Sequence, residues 1–137
     1  MGRLPQVALA NGDGAVVCEH CLLAETMFAR LRGLLGRSGL PSGEGMLLRP
    51  AASVHTAFMR FSIDVVFLDR EDRVVKVAAE VRPWRAASCR GSRSVLELPA
   101  GEAAKQGLRP GVSLTQVWRS EPANRSRPQA PASARPG

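Results

Sequence analysis

The sequence predicts a mainly β fold with one or two short helices, a compact antiparallel β-sandwich or barrel-like single domain. Many short apolar runs lie close together between turn residues, and only one stretch carries a clear helical period. The length of 137 residues with 45% hydrophobic content suits one packed core and is too short for two. One globular domain is expected over residues 1–119. A disordered tail is expected over residues 120–137, because SEPANRSRPQAPASARPG holds no apolar residue larger than proline and no periodicity.

Residues 6–10 and 15–18 flank Asn11-Gly12-Asp13-Gly14, whose residues tolerate positive φ, and this predicts an opening hairpin. Leu22 and Leu23 then lead into a helix, with Leu23, Met27, Leu31 and Leu34 at helical spacing and Gly33 or Gly36 as its end. Residues 39–45 read as loop, and Met46-Leu47-Leu48 as a short buried strand stopped by Arg49-Pro50. Residues 63–68 and 74–79 read as strands joined by the charged turn Asp69-Arg70-Glu71-Asp72-Arg73. Residues 83–93 read as an irregular loop. A strand at 95–98 follows, then a glycine-bounded turn of helix through Ala103 and Ala104, and a closing strand at 112–118.

The formal net charge of +7 marks a basic protein. Arg125, Arg127 and Arg135 against Glu121 put +2 in the tail and leave +5 for the domain. The remaining arginines are interspersed with acids, and only Arg82, Arg85, Arg90 and Arg93 form a loose cluster, which reads as a solvated basic face. Neither a signal peptide nor a window near the ~20 apolar residues of a membrane span is recognisable. Three cysteines fit reduced thiols. The expected compartment is the cytoplasm and the expected state a monomer.

Residues 54–69, VHTAFMRFSIDVVFLD, concentrate the polar chemistry. His55 and Asp64 could form a hydrolase pair with Ser53 or Cys89 as nucleophile, the carboxylate fixing the imidazole tautomer. No nucleophile elbow accompanies them. The plainer reading has both side chains satisfying buried backbone groups. Cys18, His20 and Cys21 could hold a metal with Cys89, yet a single C-x-x-C pair specifies little, and Cys18 on a strand reads equally as core. No cofactor is expected. Arg82-Pro83-Trp84-Arg85 sets an indole between two guanidinium groups, a possible stacking platform, with Trp84 covering one end of the core as the plainer alternative. Aromatic residues make up only 4% of the chain and no nucleic-acid module is recognisable, so nucleic acid is not the expected partner. The glycines of residues 32–39 lack the strand-loop-helix order of a phosphate loop and read as a helix end.

Four separated blocks, A-x-T-x-x-x-R-x-R-G-L-L-G-R at 24–37, G-M-L-L at 45–48, H-T-x-F-M-R-x-x-I-D-V-V-F-L-D at 55–69 and V-L-E-L-P-A-G at 95–101, resemble the bacterial and archaeal domain-of-unknown-function 192 family. The resemblance implies a compact β domain with one prominent helix, in which the third and fourth blocks line a shared pocket or groove. The residues it marks are Arg32, His55, Thr56, Met59, Arg60, Asp64 and Glu97. Many relatives look exported or lipid-anchored. Phe61 and Ser62 stand where relatives often show a polar residue and a proline, and Gly111-Val112 replaces a common Gly-Asp. These residues suit recognition better than turnover. The function expected is a non-enzymatic domain that binds a small polar ligand or a protein partner, as an accessory to an envelope or secretion assembly, with a small hydrolase using His55 and Asp64 as the alternative.

Overall fold

The computed structural model describes residues 4–34 and 36–120; the side chains of Phe28, Leu31, Arg32, Trp118, Arg119 and Ser120 lie outside that description. The elements in chain order are β1 (Gln6–Ala10), β2 (Val16–Ala24), α1 (Met27–Leu34), β3 (Glu44–Leu48), β4 (Ser53–His55), β5 (Ile63–Leu68), β6 (Val74–Val81), β7 (Ala86–Ser88), β8 (Ser94–Pro99), α2 (Glu102–Lys105) and β9 (Thr115–Ser120). Seven strands form one sheet in the order β6-β5-β8-β3-β2-β1-β9, and β4 pairs with β7 in a second, small sheet. The mainly β single domain expected from the sequence is present, and its large sheet is not a closed barrel. Apart from Ser120, which ends β9, the tail expected at residues 120–137 lies outside the described residues.

Both predicted hairpins form, and side chains explain their turns. Asn11 Oδ1 accepts the backbone N–H groups of Asp13 at 2.9 Å and Ala15 at 3.1 Å between β1 and β2. Asp69 Oδ1 does the same for Glu71 at 2.8 Å and Arg73 at 2.9 Å between β5 and β6. The N–H of Arg73 in particular holds the Asp69 carboxyl below its ordinary range.

Several elements differ from the sequence reading, among them β4, where no strand was expected. Leu22 and Leu23 belong to β2, where they pair with Met46 and Leu47; α1 begins only after Thr26, whose Oγ1 accepts the Ala29 N–H at 3.0 Å as an N-cap. The β2–β3 pair is parallel, because the chain between them crosses over through α1, whereas the other pairs in both sheets are antiparallel. Residues 86–88 lie on a strand inside the expected loop; Ala-Ala-Ser has little β-propensity, and pairing with β4 orders it.

All six residues of β5 are buried, as are the first five of β8, so both faces of the sheet centre are covered. Alternation sends Ile63, Val65, Phe67 and Val95 into one cluster with Leu34, Met46, Val54 and Met59, beneath α1 and the small sheet. Val66, Leu68, Leu96 and Leu98 enter the other with Val7, Val17, Leu47, Ala103, Leu108 and Leu114. Backbone bonds from Leu114 to Asp72 and from Val74 to Val112 draw the start of β6 towards the approach to β9, curling the sheet around this second cluster.

Gly45 sets how closely three strands approach. A Cβ there would stand 2.7 Å from the Glu97 carbonyl and 3.0 Å from both Cys18 Sγ and Leu98 Cδ2. Gly45→Ala is therefore expected to lower the unfolding free energy by about 1–3 kcal/mol in urea titration. A loss within about 0.5 kcal/mol, typical of neutral surface changes, would show that the sheet relaxes there without strain.

Candidate functional site

Two tight turns meet at Thr56, which is fully buried. In the first, Met59 N–H donates to the Thr56 carbonyl at 3.1 Å and Phe58 takes φ 68. In the second, Pro83 is followed by Trp84 at φ 63. Positive φ at the third position of such a turn normally calls for Gly or Asn, and here both positions hold large aromatic residues. The second turn is not closed by its own backbone. The Thr56 hydroxyl is inserted into it, accepting from Arg85 N–H at 2.8 Å and donating to the Arg82 carbonyl at 2.7 Å. Thr56 N–H also donates to the Arg85 carbonyl at 2.8 Å, and Trp84 N–H to the Thr56 carbonyl at 3.0 Å.

The consequence is an aromatic ledge. Phe58 is 65% exposed and Trp84 59%, with ring centroids 4.8 Å apart and planes tilted by 60°. Trp84 therefore does not cover the core, as the plainer sequence reading had it. Exposed Arg60, Arg82 and Arg85 flank the rings, and none of the three is in an ion pair with a described carboxylate. His55, half-buried on β4, accepts the Ala57 N–H at Nδ1 over 3.3 Å.

Asp64 faces the other way. It alternates with Ile63 and Val65 on β5, and its fully buried carboxylate meets the start of α2. Oδ2 accepts from Ala103 N–H at 2.8 Å, both oxygens from Gly101 N–H at 3.1 Å, and Oδ1 from Glu80 N–H at 2.8 Å. Gly101, at φ 90, and Glu80, at φ 51 in an irregularity of the β5–β6 register, are thus tied to one carboxylate. His55 lies in the small sheet that covers the opposite face of β5. Among the described residues no hydrogen bond joins His55 to Asp64, Ser53 or Cys89. The Cys89 thiol points its weak donor at the Arg90 carbonyl, 3.8 Å away.

On the His55 side of the sheet, Glu97 Oε2 accepts from Arg30 Nε at 2.8 Å, with both side chains fully buried. The rest of the guanidinium meets two thioethers: Nη1 lies 3.8 Å from Met27 Sδ, and Nη2 3.7 Å from Met59 Sδ. Glu97 Oε1 has no hydrogen-bond partner among the described residues. Burial pushes the Glu97 carboxyl up, and the charge of Arg30 opposes that shift only in part. Glu97 and Met59 are thereby brought together, while Asp64 lies across the sheet from them.

Cys18 and Cys21 share one face of β2, since a bulge lets Glu19 and His20 N–H both donate to the Gly43 carbonyl at 2.9 Å. Both thiols are core, and the adjacent Cys18 side chain together with burial pushes the Cys21 thiol well above its ordinary value. His20 is exposed, and Cys89 packs against the opposite cluster. Among the described residues no group of three or more His, Cys, Asp or Glu could hold a metal ion. Likewise, no described helix is long and apolar enough to cross a membrane.

A family profile described as an uncharacterized ACR, DUF192, matches residues 8–116. The chain belongs to the DUF192 family. It is 37% identical over 93 residues to a UPF0127 protein of Thermococcus sibiricus, a match that covers 64% of this chain and 60% of that protein. The chain thus matches less than two thirds of that relative's length. A crystal structure of a protein of unknown function from Novosphingobium aromaticivorans is similar at a TM-score of 0.68 and 28% identity, covering 81% of this chain and 83% of that one. Another, from Sinorhizobium meliloti 1021 and described as a candidate transcription regulator, reaches a TM-score of 0.71 at 21% identity, covering 84% and 98%; it shares the fold.

Of the residues the DUF192 resemblance marks, Thr56, Met59, Glu97 and His55 lie on the α1 and small-sheet side, Arg60 is exposed beside the ledge, and Asp64 is on the far side. The side chain of Arg32 lies outside the described residues. Sequence reasoning passed over Arg30 and Phe58. Arg30 stands three residues after Met27 and four before Leu34, an arginine on the buried stripe of a helix, which is a legible signal. Phe58 had only its place in the H-T-x-F-M-R block, since nothing in A-F-M announces positive φ.

The raised Glu97 value has a signed consequence for this DUF192 domain. The folded chain keeps the Glu97 proton at pH values where the unfolded chain, with a value of about 4.3, has lost it. Unfolding free energy therefore falls as pH rises through that interval. The stability of the wild type minus that of Glu97→Gln is expected to decrease as pH is raised from 4 towards neutrality in urea titrations. An increase would mean that Arg30 outweighs burial.

Proposed function

We propose that this protein is a non-enzymatic binding module that recognises its ligand or partner on the Phe58–Trp84 ledge, as an accessory to a larger envelope or secretion assembly. One observation carries the reading: two large aromatic residues are exposed at left-handed turn positions that glycine would occupy without strain. Such conformations cost about 1–3 kcal/mol each and persist where the surroundings impose them, often at binding sites. Thr56 imposes both. Arg60, Arg85 and His55 add charge and hydrogen-bonding capacity beside an apolar surface, the mixture that orients a polar partner.

The hydrolase alternative draws less support. In the triad logic that pairs His55 with Asp64, the carboxylate must lie within hydrogen-bond reach of the imidazole. Asp64 instead binds three backbone N–H groups on the other side of the sheet.

The test is a double substitution, Phe58→Gly with Trp84→Gly. Relief of backbone strain at the two positions, about 1–3 kcal/mol each, opposes the lost ring contact, worth about 0.5–1.5 kcal/mol, and the entropy of two added glycines, about 0.5–1 kcal/mol each, so stability should fall by no more than about 1 kcal/mol. Any midpoint shift that a panel of sugars, nucleotides, amino acids and peptides produces in the wild type should vanish in the variant. A loss of about 3 kcal/mol or more would make the aromatics structural, as core aromatics are. Ester hydrolysis abolished by His55→Ala in a folded chain would favour the enzyme.

A further inference from the structure

The ledge belongs to a surface layer with a lopsided charge. Residues 50–62 and 80–93 run together along their length: Ala51 N–H bonds the Arg93 carbonyl, Cys89 N–H the Ala52 carbonyl, β4 pairs with β7, and Thr56 clasps residues 82–85. These two segments hold Arg60, Arg82, Arg85, Arg90 and Arg93 against one carboxylate, Glu80. Arg60 stands two residues after Phe58, Arg82 and Arg85 bracket Pro83-Trp84, Arg90 and Arg93 follow β7, and all five arginines are exposed.

Resting on the reading of the ledge as a binding surface, we propose that its partner is an anionic lipid bilayer, with Phe58 and Trp84 entering the headgroup layer and the neighbouring arginines meeting lipid phosphates. Rings at turn tips, each about three-fifths exposed, offer a small ligand one side only, whereas a small-molecule site encloses most of its guest. The bilayer interface has the matching composition. Indole rings partition to the headgroup level, apolar rings to the acyl boundary just below, and guanidinium groups bind phosphate oxygens in pairs. The tilted contact of the two rings leaves no parallel pair of faces on which successive bases would stack, which disfavours a nucleic acid. Membrane docking of this kind needs no spanning helix, and cytoplasmic leaflets carry the negative surface potential that attracts such a patch.

The experiment is co-sedimentation of the full chain with vesicles of phosphatidylcholine alone or mixed with phosphatidylglycerol, in low and high sodium chloride, with inorganic phosphate as competitor. A Trp118→Phe chain, in which Trp84 is the only tryptophan, reports ring insertion through a blue shift of its emission. Binding is expected to anionic vesicles only, to weaken with salt, and to resist millimolar inorganic phosphate. Phe58→Gly with Trp84→Gly should weaken it at least tenfold. Arg60→Gln, Arg82→Gln and Arg85→Gln together should weaken it by about fivefold per arginine without touching the turns. Because the basic tail is present in every variant, binding that survives both sets of substitutions would assign the attraction to the tail and overturn the proposal. So would emission of Trp84 that does not move, or displacement by phosphate alone. If no vesicle binds but a soluble ligand or protein is held and then lost in the ledge variant, the lipid is wrong and the ledge stands; if neither binds, both fail.

Discussion

Strands β5 and β8 are buried on both faces, and that constraint organises the rest of the molecule. A strand with no solvent side must satisfy every polar side chain from within the protein. Asp64 and Glu97 are the charged ones among them, beside Ser94, whose hydroxyl accepts from Arg49 Nε, and alternation sends the two carboxylates to opposite faces. Asp64 gathers the start of α2 and the irregular end of β6. Glu97 fixes α1 through Arg30. Each buried carboxylate thus locates one layer against the sheet.

The two carboxylates solve the problem differently. Asp64 accepts three backbone N–H groups, so both of its buried oxygens are hydrogen-bonded without any partner side chain. Glu97 relies on one bond to one arginine and leaves Oε1 bare. Buried pairs of that kind give little net stability over an apolar replacement, but removing one partner alone strands a charge and typically costs 3–5 kcal/mol. The pair therefore specifies how α1 sits more than it strengthens the fold. The small sheet of β4 and β7 covers the same face, and Thr56, at its mouth, turns that cover into a display for Phe58 and Trp84.

The sequence made the mainly β class, the two hairpins, the single prominent helix and the buried 63–68 strand legible, because each rests on local pattern: turn residues with a stated φ preference and runs with a fixed period. The parallel β2–β3 pair was not legible, since Leu22 and Leu23 fit a helical stripe as well as a strand and only pairing with β3 decides. Nor was β7, three small residues whose structure comes from β4. In the candidate site, Thr56, Met59 and Glu97 could be picked out by their unusual motif. Their separation from Asp64 followed from the parity of two strands, which requires the register. Trp84 was visible as an arginine-flanked indole after proline. That it stands exposed depends on a hydroxyl from a residue 28 positions earlier, a contact no local pattern contains.

Recognition on the Phe58–Trp84 ledge requires that Thr56 hold it rigid. Time-resolved fluorescence anisotropy of Trp84, in a Trp118→Phe chain with and without Thr56→Val, tests this most directly. With Thr56 in place the indole should rotate only with the whole domain. With valine there, the chain should still unfold cooperatively, but the emission should gain a fast component as the turn of residues 82–85 loses its bridge. An indole that is already mobile beside Thr56, or one equally immobile beside valine, would contradict the account.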